Sequence, residues 1–315
     1  MRNPKRLFAS TLYVIIPFLL CPVVVAGLEN GSQTAAARQQ TARQQAPVTC
    51  HEVTADIYLV KGGSGANTAI YVTPEGVYAI DAKMSAESAR AMIDLIKQVS
   101  QAELKTVILT HSDGDHINGL PGFPQGLTII AHENCRKDME KMSAELPAFK
   151  DYLPTRVFKD NLTLSKAEGR RVELLYFGPA HTSGDIVIWF ADEEVAFVGD
   201  LIFIGREPLI HRHKNGSALG YLSALKKMLA LEPAVEIFLS GHADPVGRKE
   251  LEALAASLEE KIAAVDALIK NGQSLEEVKK AFGIESESSR TGSRRLSLVE
   301  VIYLELAGEK TGDSA

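Results

Sequence analysis

No long run of lysine or arginine appears in this 315-residue sequence, no unit recurs at a fixed period, and cysteine occurs only three times. Each shortage closes off a class of function. Contacts to nucleic-acid phosphates need clustered basic side chains, whereas the net charge here is -6 at pH 7. Cys21, Cys50 and Cys135 form no C-x-x-C pair, so thiolates are not read as metal ligands. In an oxidising compartment Cys50 and Cys135 either pair or stay as two separate thiols, and sequence alone supplies no distance between them. What is present is the composition of a globular chain, 45% hydrophobic and 23% charged. That suffices for a sizeable core in one large or two ordinary domains.

The N-terminus carries a targeting pattern. Arg2, Lys5 and Arg6 precede an uncharged apolar stretch from Leu7 to Gly27, and small residues close it. We read residues 1–26 as a secretory signal cleaved after Ala26. An uncleaved anchor is the alternative, since about 20 apolar residues span a bilayer, and Pro17 and Pro22 argue for the cleaved form. Leu20 is bulky for lipid attachment at Cys21. The expected location is the periplasm or the cell exterior, with membrane contact only through this segment if it is retained. Residues 27–47 are polar and rich in Gln and Ala, a flexible leader.

A globular pattern starts near residue 48. VTADIYLVKG, TAIYVT and GVYAIDA alternate or cluster apolar residues between Gly and Pro turns, predicting strands, the last two a hairpin. SAESARAMIDLIKQVSQ has helical spacing, with Ser85 as N-cap. TVILT is a short β-branched strand running into His111. The second half repeats the scheme: strands at RVELLYFG, DIVIWFA, EVAFVGD and VEIFLSGH, a helix over 221–231, and a long helix over 248–271. A short helix over 274–282, the polar break SESSRTGSRR and an apolar segment, LSLVEVIYLELA, follow. The expected organisation is an α/β domain over 48–271 with a C-terminal helical extension over 272–315. Strands with helices between them suggest two stacked, mixed sheets flanked by helices.

The chemistry lies in turns. His111, His181, Asp200 and His242 each follow a predicted strand, and loops at strand ends can converge while the sheets hold them rigid. THSDGDH adds Asp113, Asp115 and His116, so four candidate ligands fall within six residues, with Gly114 relieving crowding. Imidazole together with carboxylate suits zinc, iron or manganese better than magnesium or calcium. Taken alone, a polar turn of this kind is also an ordinary turn. Three further strand-end ligands turn it into a candidate metal centre.

In order, THSDGDH, GPAHTSGD, FVGD and SGH resemble the metallo-β-lactamase fold superfamily, over roughly residues 50–270. Ser64 to Asn67 and Gly76 to Asp81 look like that family's opening hairpin. The resemblance implies a four-layer αββα sandwich with metal ions at one edge. It implies His111 and His181 on a first ion, Asp115, His116 and His242 on a second, and Asp200 bridging both, with a hydroxide between the ions. It implies two Zn2+ per chain, with iron or manganese as the alternatives, and Asp115 orienting the nucleophile. Asp113 stands where the family pattern has a second His. It is either an oxygen ligand that makes the first position harder and more anionic, or the mark of a site with one ion.

The expected activity is metal-dependent hydrolysis of an ester-like, thioester, lactone or related bond in a small molecule. A β-lactam-opening enzyme and a non-catalytic metal-binding member are the alternatives. Of the remaining polar residues, His132 is expected to be structural. His211 and Arg212 are basic loop residues, which are usually just solvated; the alternative is that one of them faces an anionic substrate. Asp81 would orient a ligand histidine from behind. Trp189 and Phe190 belong to the core.

Overall fold

A computed structural model describes residues 46–165, 171–284 and 295–308. The signal at 1–26, the leader up to residue 45 and most of the polar break after Ile284 lie outside the described residues.

The chain builds two β-sheets, each backed by helices. The first sheet has the order β1 (Thr49–Glu52), β2 (Ile57–Lys61), β3 (Thr68–Thr73), β4 (Gly76–Ile80), β5 (Leu104–Ile108), β6 (Thr128–His132) and β7 (Arg156–Phe158). β1 to β4 are antiparallel neighbours, whereas β4 to β7 run parallel. The β3–β4 hairpin closes at Thr73 opposite Gly76. The second sheet has the order β12 (Ile237–Leu239), β11 (Val195–Phe197), β10 (Val187–Phe190), β9 (Arg171–Leu175), β8 (Asn161–Ser165). Within it only β11 and β12 are parallel.

Strand periodicity assigns each side chain to a layer. On β10, Ile188 and Phe190 enter the core between the sheets, while Val187 and Trp189 enter the core beneath the helices. On β3, Ala69 and Tyr71 face the other sheet and Ile70 faces outward to a helix layer. This is the period-2 alternation of a strand covered on both faces. The outer layer of the first sheet is α1 (Ala86–Val99) and α3 (Glu133–Glu145), contributing Ala89, Met92, Ile96, Cys135 and Met139. The outer layer of the second is α4 (Ala218–Leu229), α5 (Arg248–Lys270) and, past the expected domain end, α6 (Leu275–Ala281) and α7 (Leu298–Leu306). The architecture is the αββα sandwich expected from the sequence.

Helix α7 also reaches back. Glu305 accepts hydrogen bonds from Ser217 Oγ at 3.0 Å, Ala218 N at 2.9 Å and Leu219 N at 3.1 Å, capping the N-terminus of α4. It pairs as well with Arg212. The short strands β7 and β8 are not in the sequence reading, because RVF and NLTLS are brief and polar enough to pass for loop. Cys50 and Cys135 are unpaired, Cys135 being buried. Among the described residues no helix is long and apolar enough to cross a membrane.

Candidate metal centre

Every expected site residue follows a strand end. His111 lies just past β5, Asp200 past β11 and His242 past β12, while His181 sits in the loop between β9 and β10. One helical turn, α2 (Gly114–Ile117), interrupts the first loop and carries Asp115 and His116. Close approach fixes two glycines. A Cβ on Gly241 would stand 2.6 Å from Asp200 Oδ1 and 2.7 Å from His116 Cε1. Gly199, at φ +53°, would put one 2.7 Å from Thr110 Oγ1.

The imidazoles are locked from behind. His181 Nδ1 lies 2.7 Å from the Leu209 carbonyl oxygen, so that nitrogen carries the proton and donates. His116 Nδ1 donates to Asp81 Oδ2 at 2.7 Å. Thr110 Oγ1 donates to the same oxygen at 2.8 Å and therefore accepts from His111 Nδ1 at 3.0 Å. Asp81 thus orients both His111 and His116, the role its position suggested. With Nδ1 so engaged in each of the three rings, Nε2 is the nitrogen turned toward the site, and the three converge with the carboxylates there.

There these nitrogens meet carboxylate oxygens. His181 Nε2 is 3.1 Å from Asp113 Oδ2 and 3.7 Å from Asp200 Oδ2. His116 Nε2 is 3.1 Å from Asp200 Oδ1. His242 Nε2 is 3.0 Å from Asp115 Oδ2 and 3.2 Å from Asp200 Oδ2. His111 Nε2, His116 Nε2 and Asp200 Oδ1 are buried without a hydrogen-bond partner. Imidazole nitrogens facing carboxylate oxygens at this spacing call for positive charge between them, protons in the metal-free protein or metal ions in their place. Donors about 2.0–2.1 Å from a tetrahedral ion stand about 3.3 Å apart, close to the separations seen. Three donor groups result: His111, Asp113 and His181; Asp115, His116 and His242; and His111, His116 and Asp200, which links the other two.

Protonation follows the same geometry. Burial pushes His111 well below the usual imidazole range, and its neighbour His116 adds to this. Burial opposes charge on His116 too, but Asp200 and Asp81 outweigh it and raise that ring. Burial would raise the Asp200 carboxyl, yet His116 and His242 hold it well below the usual range. His242 is raised to about 9, because Asp115 and Asp200 overcome the cost of burial.

Other residues divide between scaffold and site. His132 caps α3 by accepting from Asn134 N, donates to the Lys159 carbonyl and stacks on Tyr176, a structural histidine as expected. Trp189 and Phe190 are core residues. Arg212 does not face the site, since it is held by Glu305 and the Gly216 carbonyl. His211 turns inward instead, with Nε2 2.8 Å from Asp113 Oδ2. Two residues went unnoticed in the sequence. Lys214 places Nζ 2.7 Å from Asp113 Oδ1. Phe203 stacks on His242 and meets His181 edge-on, with the Arg206 guanidinium over its ring.

Comparison with known proteins bears on the family and the fold. The model of the metallo-beta-lactamase superfamily matches residues 62–242, more than half of the chain. The chain is 26% identical over 182 residues to the 2,4-dinitroanisole O-demethylase subunit alpha of Nocardioides sp. (strain JS1661), covering 56% of this chain and 52% of that one. It therefore spans about half the length of that relative. It is 29% identical over 162 residues to the hydroxyacylglutathione hydrolase GloC of Haemophilus influenzae, covering 47% and 74%. Among solved structures, a metallo-beta-lactamase from Pontibacter korlensis superposes with a TM-score of 0.57 at 17% identity, covering 67% of this chain and 99% of that one.

Proposed function

The chain belongs to the metallo-beta-lactamase superfamily, and from that premise we propose that it is a metal-dependent hydrolase acting on an ester, thioester or lactone bond of a small molecule. One observation carries the reading. The buried imidazoles of His116 and His181, each locked by a partner on its far side, turn Nε2 toward carboxylate oxygens at 3.1 Å, and the more open His242 joins them at 3.0 Å. Such a cluster of imidazole and carboxylate donors offers a ready seat for metal cations.

His111, His181 and Asp113 would hold one ion and Asp115, His116 and His242 the other, with Asp200 between them. We favour zinc at both positions. The ions supply an acidified water as nucleophile and a positive charge that polarises the attacked group. The chain's own residues do the rest. Asp81 and the Leu209 carbonyl keep the rings in the tautomer that leaves Nε2 free. Asp115, more open than its neighbours, orients the attacking water. Phe203, lying against His181 and His242, excludes bulk water from one side.

The hydroxyacylglutathione hydrolase likeness supports trying thioesters first. The test is a panel of thioester, lactone, aryl ester, phosphodiester and β-lactam substrates on the purified protein. Turnover of an ester-like substrate that chelation abolishes and zinc restores supports the proposal. Turnover of β-lactams alone, or of nothing under any metal, refutes it.

A further inference from the structure

Asp113 replaces a neutral imidazole with a negative charge, and the structure shows where that charge is met. Lys214 Nζ lies 2.7 Å from Asp113 Oδ1, 3.0 Å from the Ser112 carbonyl oxygen and 3.2 Å from Ser112 Oγ. Its three N–H groups thus find three acceptors, all on the segment that presents Asp113. His211 Nε2 stands 2.8 Å from the other oxygen, Oδ2, to which His181 Nε2 (3.1 Å) and His111 Nε2 (3.9 Å) also come.

Neither residue arrives by chance of a mobile side chain. The loop that carries them is sewn onto the His181 turn through its backbone. His211 N donates to the His181 carbonyl at 2.8 Å, Ser183 N to the Lys214 carbonyl at 2.9 Å, and Ser217 N to the Ala180 carbonyl at 2.8 Å. Gly216 lies so close that a Cβ there would stand 2.4 Å from the His181 carbonyl oxygen. The turn delivering His181 to the first metal position therefore delivers Lys214 and His211 as well. Lys214 and Asp113 are only 17% and 14% exposed, so water screens their pairing weakly.

We propose that Lys214, seconded by His211, is a positioning residue that makes Asp113 a one-oxygen, charge-compensated ligand at the first metal position. Lys214 occupies Oδ1 and cancels its charge, which leaves Oδ2 as the single oxygen turned to His111 and His181. The position then carries the net charge it would have with a third imidazole, although its donor is an oxygen. This rests on the metal-binding reading above.

The experiment is a cycle read by zinc binding rather than activity. Zinc stoichiometry and affinity are measured by competition with a chelating indicator for the wild type, Lys214→Met, Lys214→Arg, Asp113→His and the Asp113→His/Lys214→Met double variant. Cobalt absorption of the same set reports coordination, and thermal unfolding of the metal-free proteins shows that each is folded. Lys214→Met is expected to weaken one of two ions by about 10- to 100-fold and leave the other nearly unchanged. Lys214→Arg, which keeps the cation, recovers most of that loss. In the Asp113→His background Lys214→Met should change zinc affinity by less than about threefold, because a neutral imidazole needs no counter-charge. An unchanged affinity in Lys214→Met overturns the inference. So does a loss of equal size in the Asp113→His background, which would mean that Lys214 merely holds Ser112. A wild type that binds no zinc overturns this inference and the proposed function together, whereas the first two outcomes leave the function standing. If Asp113→His or the double variant does not fold, the contrast between Lys214→Met and Lys214→Arg decides the matter alone: equal losses in both refute a charge-compensating role.

Discussion

Asp81→Asn isolates the device on which the centre depends most. Asp81 is fully buried at φ +61°, a backbone region that Asn tolerates far better than Ala. Its Oδ1 accepts from Thr110 N at 2.8 Å, and its Oδ2 accepts from Thr110 Oγ1 at 2.8 Å and His116 Nδ1 at 2.7 Å. An amide offers one acceptor oxygen and one NH2 group in the same two places. If the NH2 takes the Oδ1 place, it faces the Thr110 N–H. If it takes the Oδ2 place, His116 must accept at Nδ1 and carry its proton on Nε2, which closes that nitrogen to a metal. The first arrangement sets a buried donor against a donor at a cost of about 1–3 kcal/mol, and the second takes from His116 the lone pair that a metal needs. Zinc affinity at the position served by His116 should fall by about 10- to 100-fold, or about 1.4–2.7 kcal/mol at about 1.4 kcal/mol per tenfold. Chelator competition measures the affinity, and urea unfolding of the metal-free variant measures the stability cost separately. Affinity at both positions within about twofold of wild type would refute the orienting role of Asp81.

Three other outcomes are expected. In the metal-free protein His242 is raised from 6.5 to about 9, its burial being outweighed by Asp115 and Asp200. A folded value above the unfolded one stabilises fully below about pH 6.5 and is lost as pH rises through 9. The urea midpoint of the metal-free protein should therefore fall across that window, and the fall should shrink in His242→Gln; a pH-independent midpoint contradicts the assignment. Glu305→Ala leaves the Ala218 and Leu219 N–H groups and Arg212 without their carboxylate. A cost of about 2 kcal/mol, or about 4–8 °C in thermal midpoint, is expected by calorimetry at unchanged zinc stoichiometry. Asp113→Ala should lower both zinc content and turnover, and an unchanged pair of values would remove Asp113 from the ligand set.

Much of this was legible in the sequence because strand and turn are local events. TVILT before His111, FVGD around Asp200 and SGH around His242 each join a short apolar strand to a Gly-containing turn, and in the structure each such turn feeds the centre. Asp81 could be suspected as a second support from its place at a strand end. What stayed hidden depends on long-range approach. Lys214 and Asp113 are about a hundred positions apart, and their contact follows from the docking of one loop on the His181 turn through backbone bonds that no side-chain pattern encodes. The same docking turned His211 inward, whereas Arg212 was drawn off by Glu305 from α7. An apolar helix such as LVEVIYLEL reads from sequence as a detachable extension; its packing on α4 and α5 needs the whole layer to be in view.

The central claim is that this cluster is a two-ion centre. The most direct measurement is elemental analysis of the purified chain after equilibration with zinc and removal of loosely held ions. The account predicts two zinc ions per chain, both withdrawn by a strong chelator and both regained on adding zinc back. A chain that retains no zinc after the same treatment, while remaining folded, would contradict it.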